Sequence, residues 1–309
     1  MRTVMDALAR EIPGDLPGDV LFVGMAETAV GLGQGVHAAW RTATGRDDAH
    51  FIQSTRQTHP DMAVWTTFEE GHSHASSHIL HVPVGIDRDR IRSIVIVDDE
   101  CSTGATFIQV ENALRSVLPQ IERVVDVVIT EWSRATARHR VALVRGTMTW
   151  QATADSAKEV VPGENANRHG ETRPGASAGR QGYSEPPILE ERHARALPEP
   201  RPGERIVVVA DGENAYDALL VAEELERRGA VAALQSITRS PAHVGDAMAS
   251  RAMFVDAHGS GATCYSYNLG QHEPDRYVVV VERAGDQARM VENQTGIPAH
   301  TLHIERNQN

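Results

Sequence analysis

The residues best suited to chemistry are two adjacent carboxylates, Asp98 and Asp99, and the small hydroxyl-rich turn that follows them. This turn carries Thr103 and Thr106 on either side of Gly104. An apolar pattern of helical spacing comes next, so the first main-chain N–H groups of a helix, and the positive end of its dipole, would converge on the turn. The pattern predicts a phosphate site with two acids at its edge.

The elements around these acids must be a strand before them and a helix after them. Residues 94–97 are apolar and β-branched, which is typical of a strand buried on both faces of a parallel sheet. We expect the two acids to end that strand. Apolar residues recur at helical spacing over 107–118, and Pro119 closes the helix. The structural alternative is that the acids only cap this helix.

The acids distinguish this turn from other phosphate loops. A nucleoside triphosphate loop would carry a lysine, and residues 98–106 contain none. Two carboxylates just before a phosphate turn instead suit the vicinal hydroxyls of a ribose whose 5′-phosphate lies in the turn.

The stretch closely resembles the 5-phosphoribosyl 1-diphosphate (PRPP) motif of type I phosphoribosyltransferases. The resemblance implies catalytic roles for Asp98, Asp99 and Glu100. It assigns the 5′-phosphate to Ser102, Thr103, Gly104, Ala105 and Thr106. It also implies Mg²⁺ as cofactor, associated with Asp98 and Asp99 indirectly, through ribose hydroxyls or water.

A second strand–loop–helix pattern lies near the start of the chain. Residues 18–23 predict a strand, and a glycine-rich loop at 24–35 runs into a helix. The spacing of Gly31, Gly33 and Gly35 does not fit the G-x-G-x-x-G fingerprint of dinucleotide-binding folds. A close-packed helix start is the structural alternative.

The family resemblance implies that this first loop receives the pyrophosphate of PRPP, at Ala26, Glu27 and Thr28. Residues 51–57 predict a strand that ends near Arg56. We expect Arg56 to bind the pyrophosphate as well, because a guanidinium group matches two phosphate oxygens. A solvated surface arginine is the alternative.

A polar loop at 68–78 contains Glu70, His72 and His74. The resemblance implies that it is the flexible hood, which closes over the site and excludes water from a reactive ribosyl centre. His72, His74 and His78 could form a metal site, but the lack of a cysteine or a fourth ligand nearby argues against zinc. Contact with pyrophosphate, proton transfer and simple solvation all remain open for these side chains.

Composition changes twice along the chain, which predicts three segments. Residues 1–151 alternate strand and helix patterns and form a first α/β domain with a mainly parallel sheet. Residues 152–203 are rich in proline and glycine and poor in apolar side chains, as in a linker or an extended arm. Residues 204–309 form a second, smaller α/β domain.

The second domain contains Thr238-Arg239-Ser240-Pro241, and it resembles the TRSP domain, which is named for this signature and follows a phosphoribosyltransferase domain. If this domain has a site, its residues are Asp211, Glu213, Thr238, Arg239, Ser240, Asp256 and His258. Polar residues at strand carboxyl ends are where open α/β sheets bind ligands. A second catalytic domain, a lid for the acceptor, and a structural partner built of turn residues all remain open.

Composition restricts the function classes. The net charge of −12 over 309 residues argues against binding nucleic acid through bulk charge. No apolar run reaches the roughly 20 residues of a membrane span, and no signal segment is visible. Two cysteines make no disulfide framework, so we expect a cytoplasmic protein. The family resemblance implies a homodimer.

The resemblance implies a type I phosphoribosyltransferase fold, with a Rossmann-like parallel sheet and a hood, joined to a second α/β domain. Its expected reaction is Mg²⁺-dependent transfer of the phosphoribosyl group of PRPP to a small nitrogenous acceptor, with release of pyrophosphate. Relatives of this architecture are associated with tellurite-resistance gene clusters, which implies a nucleotide-like product.

One departure from the family bears on the acceptor. Purine enzymes of the family usually carry an aspartate where Ser102 stands, and aromatic residues are only 5% of the chain. Both features favour an orotate-like or other nitrogen acceptor. The alternative function is a non-catalytic regulatory protein that senses PRPP.

Overall fold

The structure is a computed structural model, and it describes residues 1–69, 77–133, 138–149, 151, 169–172, 177–245, 247–283 and 285–306. Within the first half, the elements are α1 Arg2–Glu11, β1 Asp19–Gly24, α2 Val30–Thr44, β2 Ala49–Gln53, β3 Gln57–Thr58, β4 Val64–Glu69, β5 Ser77–His81, a 3₁₀ turn at Arg88–Arg90, β6 Ile91–Cys101, α3 Ala105–Val117, β7 Arg123–Glu131 and β8 Arg140–Arg145. Those that follow are β9 Gly170–Glu171, α4 Ala178–Gln181, α5 Glu191–Ala196, β10 Arg205–Asp211, α6 Ala215–Arg227, β11 Val231–Ile237, β12 Arg251–Val255, β13 Thr263–Tyr267, β14 Arg276–Val281, α7 Gln287–Thr295 and β15 Ala299–His303. No helix in these ranges is long and apolar enough to cross a membrane.

The described residues divide into two compact units. Unit 1 takes those within Met1–Thr55, Met62–Pro162 and Gly179–Pro186, and unit 2 takes those within Arg56–Asp61, Gly163–Ala178 and Pro187–Asn309. The short segment Arg56–Asp61 joins unit 2 because β3 pairs in parallel with β9. The expected bounds at 151 and 203 stay a prediction.

Unit 1 is built on a five-stranded parallel sheet in the order β2-β1-β6-β7-β8. Apolar side chains of β1 and β6 pack on one face against α3, through Phe107 and Leu114 among others. Parallel strands end at the same edge, so the loops after β1 and β6, which are neighbours, lie side by side. The sheet confirms the expected α/β class.

Strand β6 is longer than the sequence predicts. Asp98, Glu100 and Cys101 pair with β7, although pairing with β1 stops at Val97. The expectation that the acids end the strand is therefore wrong. Beyond Val97, β6 stays paired with β7 but no longer pairs with β1. Sequence periodicity does not indicate how far each neighbouring strand continues.

The hairpin of β4 and β5 is antiparallel and packs Phe68 and Leu80 into the same core as α3. The hood residues Glu70, His72 and His74 lie outside the described residues.

The glycine-rich start of α2 serves close packing. A Cβ on Gly33 would lie 2.8 Å from the Gly24 Cα, and one on Gly35 would collide with Met5. These glycines let the helix approach β1 and α1, which supports the structural alternative for this motif.

Unit 2 has its own parallel sheet in the order β11-β10-β14-β15. Helix α6 contributes to the core on one face, and α7 with the β12–β13 hairpin contributes to a second core on the other face. The chain leaves β10 toward β11 and leaves β14 toward β15. The carboxyl ends of β10 and β14 therefore flank a topological switch point, where open sheets commonly bind ligands.

The buried histidine of α2 makes stability depend on pH. His37 is fully buried, and burial lowers its pKa from 6.5 to about 3, partly opposed by its hydrogen bond to the Ala49 carbonyl. Below pH 6.5 the unfolded chain takes up a proton that the folded chain refuses, so unfolding becomes easier as pH falls, by up to about 1.4 kcal/mol per pH unit. We expect His37→Phe to remove this component between pH 6 and 4, measured by urea unfolding.

The control is Phe51→Leu, a neighbouring core change that removes no titrating group and should keep the wild-type slope. His37 and Phe51 rings lie 5.9 Å apart, so both changes disturb the same packing. An identical slope in wild type and His37→Phe would contradict the prediction.

Candidate active site

The first loop is fixed to the neighbouring strand by its main chain. The Met25 N–H donates to the Val97 carbonyl at 3.1 Å, one residue before Asp98. Thr28 is exposed and Glu27 is half-buried. The peptide bond between Ala26 and Glu27 is cis. The structure thus brings the predicted pyrophosphate loop beside the predicted ribose-binding acids.

Ser54 and His78 support this loop, a role that the sequence analysis did not assign to either residue. The Ala26 N–H donates to Ser54 Oγ at 2.9 Å, and Ser54 Oγ is 3.1 Å from His78 Nδ1. Both side chains are fully buried, and the His78 ring stacks on Phe68 at a centroid distance of 4.8 Å. Ser54 follows β2 and His78 belongs to β5, so no local spacing connects them to residue 26.

The acids lie at the open end of β6. Asp98 and Asp99 are half-buried, and each accepts a hydrogen bond from the next main-chain N–H, at 3.0 and 3.1 Å. Glu100 is exposed and accepts from Trp132 Nε1 at 3.3 Å. Trp132 follows β7, and its position was also missed. The acids thus remain accessible at the edge of the sheet.

The turn after the acids is open to solvent. Ser102, Thr103 and Ala105 are exposed, and Thr106 is half-buried. Gly104 has φ +83°, a left-handed conformation that disfavours other residues, and it precedes the first residue of α3. The Ala105 N–H donates to Thr103 Oγ1 at 3.3 Å. This strand–turn–helix geometry is as predicted, and it can present N–H groups to an anion.

Behind the turn lies a network of arginines and carboxylates that the sequence analysis did not identify. Asp126 is fully buried between Arg138, at 2.6 Å, and Arg140, at 3.2 Å. Arg140 also pairs with Glu131, which pairs with Arg145 at 2.8 Å. Burial works against the charge of Arg140, but its hydrogen bond to Glu131 and the surrounding negative charges raise its pKa. For Glu131, the hydrogen bonds to the two arginines outweigh burial and lower its pKa.

Arg56 belongs to unit 2, outside the strand expected for it. Strand β2 ends at Gln53, and Arg56 is buried, with its main-chain N–H donating to Glu213 at 2.9 Å. It is therefore not a solvated surface arginine. Its part in pyrophosphate binding stays a prediction.

In unit 2, the signature residues mainly contact one another and the hairpin. Thr238 exchanges main-chain hydrogen bonds with Tyr265, and its hydroxyl accepts from the Ser240 N–H at 3.1 Å. Arg239 donates to Asp256 at 3.0 Å. Burial opposes the charge of Asp256, but Arg239 and the Ser260 hydrogen bonds lower its pKa. These contacts support an anchoring role for the signature.

The other candidates of unit 2 lie at the switch point of its sheet. Asp211 ends β10, Glu213 precedes α6, and His258 Nε2 is 3.6 Å from a carboxylate oxygen of Glu282. The three candidates and Glu282 are all buried. Their use for a ligand stays a prediction.

The family resemblance implies Mg²⁺, and the side chains around Asp98 and Asp99 show how such an ion could be held. Carboxylates of the Asp98 and Asp99 type suit this ion, but no group of three or more histidine, cysteine or acidic side chains converges as a metal site in the described ranges. The two acids fit an ion that takes most of its ligands from substrate and water, as Mg²⁺ commonly does.

A family model described as phosphoribosyl transferase matches residues 1–159, and a model described as the TRSP domain C-terminal to that family matches residues 173–296. No curated protein matches the chain.

Several solved structures resemble part of the chain. Hypoxanthine phosphoribosyltransferase from Staphylococcus aureus is 12% identical, with a TM-score of 0.32 over 47% of this chain and 72% of that one. Adenine phosphoribosyltransferase from Trypanosoma brucei, in complex with AMP, pyrophosphate and ribose-5-phosphate, is 11% identical, with a TM-score of 0.32 over 51% and 73%. Purine phosphoribosyltransferase from Pyrococcus horikoshii is 18% identical, with a TM-score of 0.29 over 51% and 92%. Likenesses of this size carry no conclusion about substrate.

The family models bear directly on this chain. The first covers half of it, including both loops of unit 1, and the second covers the segment that holds the signature. The chain therefore belongs to the phosphoribosyl transferase family, as an enzyme of the pentosyltransferase kind, followed by a TRSP domain.

Proposed function

We propose that unit 1 transfers the 5-phosphoribosyl group of PRPP to a small nitrogenous acceptor and releases pyrophosphate. The observation that carries the proposal is the contact between the first loop and strand β6, in which the Met25 N–H donates to the Val97 carbonyl. The contact supports the proposal because it holds the loop after β1 next to Asp98, and Asp98, Asp99 and the turn before α3 follow in sequence. PRPP has these three parts in the same order: pyrophosphate, ribose hydroxyls and 5′-phosphate.

Each segment has a role in this proposal. The turn at Ser102, Thr103, Gly104, Ala105 and Thr106 binds the 5′-phosphate through main-chain N–H groups and hydroxyls. Asp98 and Asp99 accept hydrogen bonds from the ribose hydroxyls. The loop at Ala26, Glu27 and Thr28 receives the pyrophosphate.

In the reaction, the bond from C1 of the ribose to the pyrophosphate oxygen breaks, and a bond from C1 to the acceptor nitrogen forms. Pyrophosphate leaves with the bonding electron pair, and the acceptor nitrogen loses its proton. Glu100 is exposed at the end of β6 and is our candidate to receive that proton. Most of the rate enhancement would come from positioning and electrostatics, because the protein forms no covalent intermediate.

Mg²⁺ would neutralise the charge of the leaving pyrophosphate. Asp98 and Asp99 would hold it through ribose hydroxyls or water. An orotate-like or other non-purine acceptor, a nucleotide-like product, a homodimer and a cytoplasmic location stay predictions. So does a ligand site in unit 2 around Asp211, Glu213 and His258.

The acids provide the first test. We expect Asp98→Asn/Asp99→Asn to weaken PRPP binding by about 100-fold or more, because two charge-assisted hydrogen bonds are lost. The measurement is titration calorimetry with PRPP and Mg²⁺, followed by pyrophosphate release with a panel of acceptors.

The control for this test is Asp89→Asn/Glu122→Gln, which removes two exposed carboxylates just before β6 and β7, at the opposite edge of the sheet. It should bind PRPP as wild type does. If folded wild-type protein fails to bind PRPP, the proposed function is wrong. If PRPP binds without turnover of any acceptor, a PRPP-sensing role replaces transfer.

The support of the first loop provides a second test. Ser54→Ala leaves the Ala26 N–H without its buried acceptor, which should cost about 1–3 kcal/mol of unfolding free energy. It should also weaken binding of inorganic pyrophosphate, since the loop loses its fixed position. Urea unfolding and calorimetry measure the two effects.

Ser116→Ala is the matched control, because Ser116 is exposed on α3 and its hydroxyl donates only to the Ala113 carbonyl. Its stability should change by about 0.5 kcal/mol or less. Unchanged pyrophosphate binding by Ser54→Ala would show that this hydroxyl does not position the loop.

A further inference from the structure

Arg140 lies directly beneath the turn that the proposed function assigns to the 5′-phosphate. A Cβ built on Gly104 would be 3.2 Å from Arg140 Nη2, and the guanidinium carbon is 5.5 Å from the centroid of the Phe107 ring in the first turn of α3. The Arg140 side chain is only 3% exposed. Its charged end therefore lies behind the turn, on the side away from solvent.

The position of Arg140 is fixed by two carboxylates of the neighbouring strand. Nη1 donates to Glu131 at 2.5 Å and Nη2 donates to Asp126 at 3.2 Å. Arg140 begins β8, and Asp126 is its register partner in β7. A planar guanidinium held at both ends has little freedom to turn away from Gly104.

The network that contains Arg140 carries an excess of positive charge. Its arginines and carboxylates alternate through successive ion pairs, in the order Arg115, Glu111, Arg138, Asp126, Arg140, Glu131 and Arg145. Among the described residues, the network has four arginines and three carboxylates, so its formal charge is +1. The side chains of Arg115, Arg138 and Arg145 are 39%, 20% and 58% exposed, against 3% for Arg140, so Arg140 is the arginine of this network least screened by water.

We propose that Arg140 is a positioning residue for the phosphate turn, which it supports from behind at Gly104 while supplying positive charge that favours a phosphorylated sugar. This inference rests on the proposed function and names a residue outside the PRPP-like stretch. The mechanism differs from direct phosphate binding by an exposed arginine, because Arg140 acts through the main chain of the turn. The three acids that precede the turn would otherwise make it unfavourable for a dianion.

The test compares two ligands on the same protein. Ribose 5-phosphate uses the acids and the turn, whereas inorganic pyrophosphate uses the first loop. We expect Arg140→Met to weaken ribose 5-phosphate binding about tenfold, equivalent to about 1.4 kcal/mol, and to leave pyrophosphate binding within about twofold of wild type. In turnover assays, KM for PRPP should rise more than kcat falls.

Arg145→Met is the matched control, because it removes the same charge from the same network at an exposed site separated from the turn by Glu131. Its ribose 5-phosphate affinity should change by about twofold or less. Arg140→Lys keeps the charge without the planar fork and should recover part of the lost affinity. If Arg140→Met does not fold, the double variant Glu131→Gln/Arg140→Met is tested in its place. It removes both charges of this ion pair and so leaves no unpaired Glu131 carboxylate.

The outcomes separate the inference from the proposed function. Equal losses for ribose 5-phosphate and pyrophosphate would mean general damage to unit 1 and would overturn the positioning role. Unchanged ribose 5-phosphate binding in Arg140→Met, with binding lost in Asp98→Asn/Asp99→Asn, would overturn this inference alone. Failure of the wild-type protein to bind ribose 5-phosphate or PRPP would overturn the proposed function and this inference with it.

Discussion

The hydrogen bond from the Met25 N–H to the Val97 carbonyl is the contact on which the unit 1 site depends. It continues the parallel pairing of β1 and β6 by one step beyond Gly24, at the point where the two chains diverge into their loops. Strand β6 then keeps only its β7 partner through Cys101. The acids are consequently held by a strand on one side and open on the other, so they combine a fixed position with access for a ligand.

Electrostatics impose a second constraint on the same edge of the sheet. Three consecutive acids precede the turn that, in the proposed function, accepts a phosphate, and carboxylates repel phosphate. The helix dipole and main-chain N–H groups oppose that repulsion only within the first turn of α3. The buried side chain of Arg140 in β8 and the half-buried side chain of Arg138 before it add positive charge behind the turn. Their pairing with Asp126 and Glu131 satisfies each guanidinium at least in part, which is the condition under which buried charges are tolerated.

In unit 2, Thr238 and Arg239 of the signature make contacts that stabilise the surrounding loops. Residues 238–241 follow β11, and Thr238 is bonded through its main chain to Tyr265 of the hairpin. Arg239 pairs with Asp256, whose other oxygen accepts hydrogen bonds from Ser260. Loss of Arg239 would leave a buried carboxylate without its charge partner. The signature thus fixes the loop that carries His258 near the end of β14.

Local pattern was sufficient for much of the fold. The apolar, β-branched residues 94–97 predicted a buried parallel strand, now seen as part of β6, because such a run suits both faces of a covered sheet, and residues 18–23 predicted β1. The strand, turn and helix around the PRPP-like motif could also be predicted, because its acids, glycine and hydroxyls lie close together in the sequence. The resemblance to a known family rested on those same adjacent residues, and the family model confirmed it.

The supports of the site depend on contacts between residues distant in the sequence. Ser54 reaches Ala26 across 28 residues, and Arg140 lies under Gly104 because β8 is added beside β7. Arg56 illustrates the same limit, since the apolar run before it gave no sign that its segment would pair with Gly170 in unit 2. The sequence by itself determined the family of the chain and the residues that we propose bind a phosphoribosyl group. Only the tertiary structure decided which buried side chains hold them in place, because those partners are selected by strand order and packing.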